Sequence, residues 1–212
     1  VLTRRDDGHA VLVALAEDDA LLSRLFQYRF PGTEGAARGD ALAGHAFGNL
    51  FLTALSDVAG GLDKALEAAG RVLAIRGRVL PATLKSTRLT AFLADGRRVL
   101  GETRVALSGG RIRRVSLSPA APPAAPGVLE AVADADLVVL GPGSVFTSVL
   151  PPLLVKGVAQ ALARSRGLRV YVCNVMTQPG EIERFSAADH LRAVLEHCRS
   201  ASKKSDACVD VL

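Results

Sequence analysis

Tryptophan is absent, and aromatic residues make up only 4% of the 212 residues. With 49% hydrophobic residues a sizeable core is still affordable, but it has to be built from Leu, Val and Ala packed between layers rather than from aromatic clusters. Cysteine is scarce as well. Cys173, Cys198 and Cys208 are odd in number and show no CxxC spacing, which argues against a disulfide framework or a zinc site and for free buried thiols in a reducing compartment. His197 and Cys198 are neighbours in sequence and so face different sides of a helix. No apolar run approaches the length of a membrane span and no signal peptide is visible, which makes the cytoplasm the default location. Runs of five or so basic residues and interleaved aromatics are also missing, so nucleic acid is not an expected partner. HExxH, zinc-ligand spacing and a Ser-His-Asp order are absent, and a hydrolase is not indicated. What remains is a net charge of +5, which suits an anionic partner such as a nucleotide and equally suits simple solubility.

Apolar residues recur at helical spacing from His9 to Phe26, predicting a helix or a helix pair. Two further helices are predicted over Ala41 to Ala59 and Leu62 to Ile75, separated by the Gly60-Gly61 break. The rhythm then changes. Leu89, Ala91 and Leu93 recur at strand spacing before Asp95-Gly96, a strong hairpin signal. Arg97 to Leu107 and Arg111 to Leu117 extend this into an antiparallel meander with one solvated face. After the proline-alanine connector of residues 119–126, short apolar runs alternate with helical stretches, as βαβ units do. Ser186 and Asp189 resemble a capping box at the start of a helix over Ala187 to Cys198.

Candidate chemistry collects at two strand ends. Leu137 to Leu140 reads as a fully apolar, buried strand, followed by Gly141, Pro142, Gly143 and Ser144 and then by a helix. The glycines allow close backbone approach to an anion, and Ser144, Thr147 and Ser148 add hydroxyls beside the free amides of the helix start. The loop is not a Walker A or GxGxxG motif, and it also reads as a plain turn. The next strand, ending Tyr171 to Asn174, runs into Thr177 and Gln178, which can hold a sugar or base or can form a polar turn. Within Gly44 to Asn49, His45 could meet a phosphate and Asn49 a base, or the paired glycines could serve helix packing. Asp6, Asp7 and Gly8 read as a magnesium-holding pair against a phosphate or as a surface turn.

In chain order, the segments Leu25 to Phe30, Gly44 to Asn49, Arg76 to Pro81 with Thr83, Leu140 to Pro151, and Tyr171 to Glu181 continuing to His190 resemble the gluconeogenesis factor (YvcK-like) family, related to the CofD 2-phospho-L-lactate transferases. Nearly the whole chain is covered. The resemblance implies a single Rossmann-like α/β domain, a mainly parallel sheet with helices on both faces and a small antiparallel β insertion over about residues 78–117. It implies a regulator, not an enzyme, that binds UDP-N-acetylglucosamine and acts in carbon metabolism and cell-envelope or cell-shape control, without a fixed cofactor and with a homodimer in view. The alternative it implies is a magnesium-dependent transfer of a phospholactyl group to a deazaflavin precursor, with Asp6 and Asp7 placing the metal. The family's opening strand and Gly-Gly-Gly-Thr-Gly loop are not found in this sequence, nor is the segment expected between Gly8 and His9.

Overall fold

The computed structural model describes residues 2–3, 8–16, 20–31, 42–176, 182, 185–202 and 208–212. The fold is mixed α/β, and the chain divides into two compact units, Val1–Pro81 and Ala82–Leu212. The sequence reads as one domain; the division falls where helical periodicity gives way to strand periodicity.

The first unit contains β1 (Leu2–Thr3), α1 (Gly8–Ala14), α2 (Ala20–Gln27), α3 (Phe47–Ala59), α4 (Leu62–Val72) and β2 (Leu80–Pro81). β1 and β2 pair in parallel, Leu2 opposite Leu80. The helix expected from Ala41 starts only at Phe47, because Ala46 forms a β-bridge to Arg29 and its backbone is extended. Gly60 closes α3 at φ 75°, with its N–H donated to the Ser56 carbonyl, a left-handed end that a side chain would oppose. Leu12, Phe26, Leu52, Leu66, Ala69, Leu73 and Val79 form the core. The expectation of a core without aromatic clusters is corrected here. Phe26 lies 4.9 Å from Phe51 and 5.8 Å from Phe47, ring centroid to centroid. Few rings suffice for this, since Phe47 and Phe51 are four residues apart on α3 and face one partner.

The second unit runs β3 (Arg88–Leu93), β4 (Arg98–Leu100), α5 (Glu102–Ala106), β5 (Ile112–Ser118), α6 (Val128–Ala133), β6 (Leu137–Leu140), a π-helical turn (Val145–Val149), α7 (Leu150–Leu153), α8 (Val158–Arg164), β7 (Leu168–Tyr171) and α9 (Ala187–Ser202). β4, β3 and β5 form an antiparallel sheet with β3 in the middle. Leu89, Ala91, Leu93, Ile112, Val115 and Leu117 are buried on one side of it. The meander expected through Leu107 is interrupted. The strand ends at Leu100, and α5 carries Val105 into the interior at 0% exposure.

β6 and β7 pair in parallel, Leu137 opposite Leu168 and Leu140 opposite Tyr171, and Val211 adds a parallel bridge to Val170. The expectation of a buried β6 is overturned: Leu137 and Val139 are 54% and 50% exposed. Side chains alternate along a strand, and these two share an open face with Leu168 and Val172. α9 starts as expected. Ser186 donates its N–H to Asp189 Oδ2 at 2.9 Å, and Asp189 donates its N–H to Ser186 Oγ at 3.2 Å. The Ser186 hydroxyl, which donates to Asp189 Oδ2 at 2.7 Å, then the Ser186 N–H and the Arg192 ion pair hold the Asp189 carboxyl down at about 2. Cys198 and Cys208 are buried free thiols, while Cys173 is half-buried. A hydrogen bond with Cys208, and after it burial, push the Cys198 thiol up.

Candidate functional site

The parallel register brings the carboxyl ends of β6 and β7 side by side, and Val172 extends the ladder by donating its N–H to the Leu140 carbonyl at 2.9 Å. This is the edge at which open α/β sheets bind ligands. Gly141 follows at φ 84°, and a Cβ there would sit 2.6 Å from the Val172 carbonyl oxygen. Only glycine fits against the neighbouring strand. The Gly141-Pro142 peptide is cis. Gly143 then donates its N–H to Asn174 Oδ1 at 3.0 Å, so a side chain from the end of β7 holds the loop that leaves β6.

Ser144 caps the π-helical turn. Its Oγ accepts from the Thr147 N–H at 3.3 Å and from the Thr147 hydroxyl at 2.7 Å. Both residues are buried, at 9% and 4% exposure. The two hydroxyls expected to face an anion therefore bond to each other inside the loop. The loop's outward surface consists of Gly141, Pro142 and Gly143 with Ser148 at its edge. The expected helix opens as a π-helical turn: Ser148 and Val149 both donate to the Ser144 carbonyl at 2.9 Å. By position, the amides of Val145 and Phe146 at the head of this turn have no intrahelical acceptor, which suits them to an anion.

Behind the loop lies a pair that the sequence reading passed over. The Tyr171 hydroxyl and His190 Nδ1 are 3.3 Å apart in the interior, at 1% and 3% exposure. Burial pushes the Tyr171 phenol up to about 12, with the Cys173 thiol adding to the effect, and burial pushes the His190 imidazole down. The Tyr171 ring would lie 3.6 Å from a Cβ at position 141, so the pair backs the glycine directly. The signal available in sequence was Tyr171 as the last residue of an apolar strand, a position where a hydroxyl needs a buried partner.

Other expected site residues lie elsewhere. His45 and Asn49 belong to the first unit, as does Gly8. His45 is exposed, and Asn49 occupies the first turn of α3. Gly8 is buried at the start of α1, where a Cβ would meet Leu66 at 3.0 Å and Leu52 at 3.4 Å; packing alone accounts for this glycine. Asp6, Asp7, Thr177 and Gln178 lie outside the described residues. Among the described residues no group of three or more His, Cys, Asp or Glu could hold a metal ion. None of their helices is long and apolar enough to cross a membrane.

The comparisons with known proteins agree with one another. A gluconeogenesis factor from Halalkalibacterium halodurans is 43% identical over 91% of this chain and 58% of its own length. The gluconeogenesis factor of Bacillus subtilis is 41% identical over 90% of this chain and 58% of its own. The X-ray structure of a protein from Bacillus halodurans superposes with a TM-score of 0.86 at 40% identity, covering 97% of this chain and 63% of that one. The chain thus spans less than two thirds of the relatives it matches. The 2-phospho-L-lactate transferase CofD family matches residues 6–212. With that match over nearly its whole length and these relatives beside it, the chain belongs to the CofD family and, within it, to the gluconeogenesis factors.

Proposed function

We propose that this chain is the nucleotide-sugar-binding part of a regulatory protein in carbon metabolism and cell-envelope growth, with UDP-N-acetylglucosamine as its ligand. The observation that carries the reading is the bond from the Gly143 N–H to Asn174 Oδ1, which joins two strand ends into one surface at the carboxyl edge of the parallel pair. In this reading the diphosphate rests on the backbone of Gly141 to Gly143 and the head of the π-helical turn. Asn174, Thr177 and Gln178 hold base or sugar. A cytoplasmic setting and a homodimer belong to the same reading. Calorimetry with UDP-N-acetylglucosamine tests it. Saturable heat that disappears in Gly141→Ala is the expected result, and no heat at millimolar ligand overturns it.

A second reading follows from the family match itself, namely transfer of a phospholactyl group with magnesium. The described residues supply no metal-binding group of three, and Asp6 and Asp7 lie outside them, so no step is routed through the metal. Product formation from an activated phospholactate and a deazaflavin precursor would replace the first reading with this one.

A further inference from the structure

The net charge of this protein is concentrated in one stretch. Residues 82–118, which form the antiparallel sheet and α5, hold eight basic and two acidic residues, a balance of +6 in a chain whose total is +5. Most of this charge faces solvent, but two of the arginines line a cleft of about 380 Å³ between the start of β5 and α9. Arg111 and Arg113 stand on one wall and Asp189, Arg192 and Glu196 on the other, with half-buried Phe185 and buried Phe146 also lining the cleft.

The placement of Arg113 has a structural cause. Phe92 pairs with Arg114 but Leu93 pairs with Ile112, so Arg113 is the extra residue of a β-bulge. Strict alternation from buried Val115 would turn position 113 inward. The bulge returns Ile112 to the interior, at 2% exposure, and leaves Arg113 at the cleft. Among the described residues neither Arg111 nor Arg113 forms an ion pair, whereas Arg192 is bound to Asp189 at 2.6 Å. Two guanidinium groups without carboxylate partners among the described residues, beside the half-buried ring of Phe185, match an anion attached to an apolar body. The volume lies within the range of small-molecule sites, about 300–1,000 Å³.

We propose that the cleft between β5 and α9 is a second ligand site, distinct from the Gly141–Ser144 loop, for a small organic anion bearing a phosphate or carboxylate on an aromatic or apolar group. Arg111 and Arg113 take the anion, and Phe185 takes the apolar part.

Phenyl phosphate, titrated into the full chain at constant ionic strength and followed by amide nitrogen–proton NMR, tests this. The expected result is saturable shifts at Ile112, Arg113, Ala193 and Glu196. R111Q/R113Q should weaken the affinity at least tenfold, while R88Q/R104Q, which removes the same charge from the same unit away from the cleft, should leave it unchanged. Circular dichroism checks that both variants are folded. Inorganic phosphate should bind several-fold more weakly than phenyl phosphate, and equal affinity would remove the apolar half of the proposal. Shifts that do not saturate, equal weakening by both double variants, or shifts centred on Gly141 to Ser144 would overturn it. The outcome is independent of the UDP-sugar titration, which reads the loop.

Discussion

Gly141 and Asn174 make the two contacts that shape the candidate loop, and they fail in different ways when changed. In Gly141→Ala the new methyl meets the Val172 carbonyl oxygen in a left-handed backbone, so strand ends or loop must move. A stability loss of roughly 1–3 kcal/mol is expected in denaturant titration, together with loss of nucleotide binding. At Gly143 the nearest atom to an added Cβ is Ser148 Cβ at 3.4 Å, an ordinary contact, so on space alone position 141 is the stricter one. Asn174→Ala removes the acceptor for the Gly143 N–H, at an expected cost of about 1 kcal/mol. Asn174→Asp keeps an acceptor and should retain the loop. A UDP-sugar titration in which Ala and Asp behave alike would show that this bond does not organise the site. The position of residues 141–144 and 174 at two neighbouring strand ends was legible in sequence from glycines and an amide after short apolar runs. The inward pairing of Ser144 with Thr147 was not legible, because hydroxyls three residues apart can cap a turn or face a ligand with no change in sequence.

Between elements, His197 ties α9 to β5. Nε2 accepts from the Val115 N–H at 3.1 Å, and Nδ1 donates to the Ala193 carbonyl at 2.7 Å, an arrangement that only the neutral ring can make. Burial pushes its pKa below the ordinary 6.5, with the neighbouring Arg114 acting in the same sense and the Ala193 bond and Glu196 opposing it. The unfolded chain therefore takes up the proton first, and the stabilisation is fully present above about pH 6.5 and is lost as the pH falls below it. His190 acts with the same sign. Thermal melts between pH 8 and pH 5 should show a falling Tm that is shallower in His197→Gln, and an unchanged slope would remove His197 from this role. Element identity was well expressed in sequence where periodicity is long, as in α4, or punctuated, as at Gly60 and at the Ser186–Asp189 cap. It was poorly expressed at α5, where five residues cannot show a period, and at the start of α3, where a bridge from Arg29 to Ala46 overrides helix propensity.

For the molecule as a whole, the open face of Leu137, Val139, Leu168 and Val172 is the largest departure from the sequence reading. An apolar run predicts burial on both sides, yet which side is covered depends on neighbours far away in sequence. Replacing Leu137 and Val139 by Thr keeps strand propensity while removing apolar exposure. Self-association in sulfate, measured by light scattering, should fall with a stability change within about 0.5 kcal/mol. A drop in Tm of many degrees would mean that the face is covered in solution. The aromatic poverty noted at the outset has an optical consequence. With no tryptophan and two tyrosines, Tyr28 at 46% exposure and Tyr171 at 1%, all emission excited beyond the phenylalanine band comes from one surface phenol and one phenol directly behind Gly141. Tyr28→Phe would leave Tyr171 as the sole emitter. Its quantum yield, sensitive to the hydrogen bond with His190, then becomes a built-in reporter of whatever settles on the loop, without any attached dye.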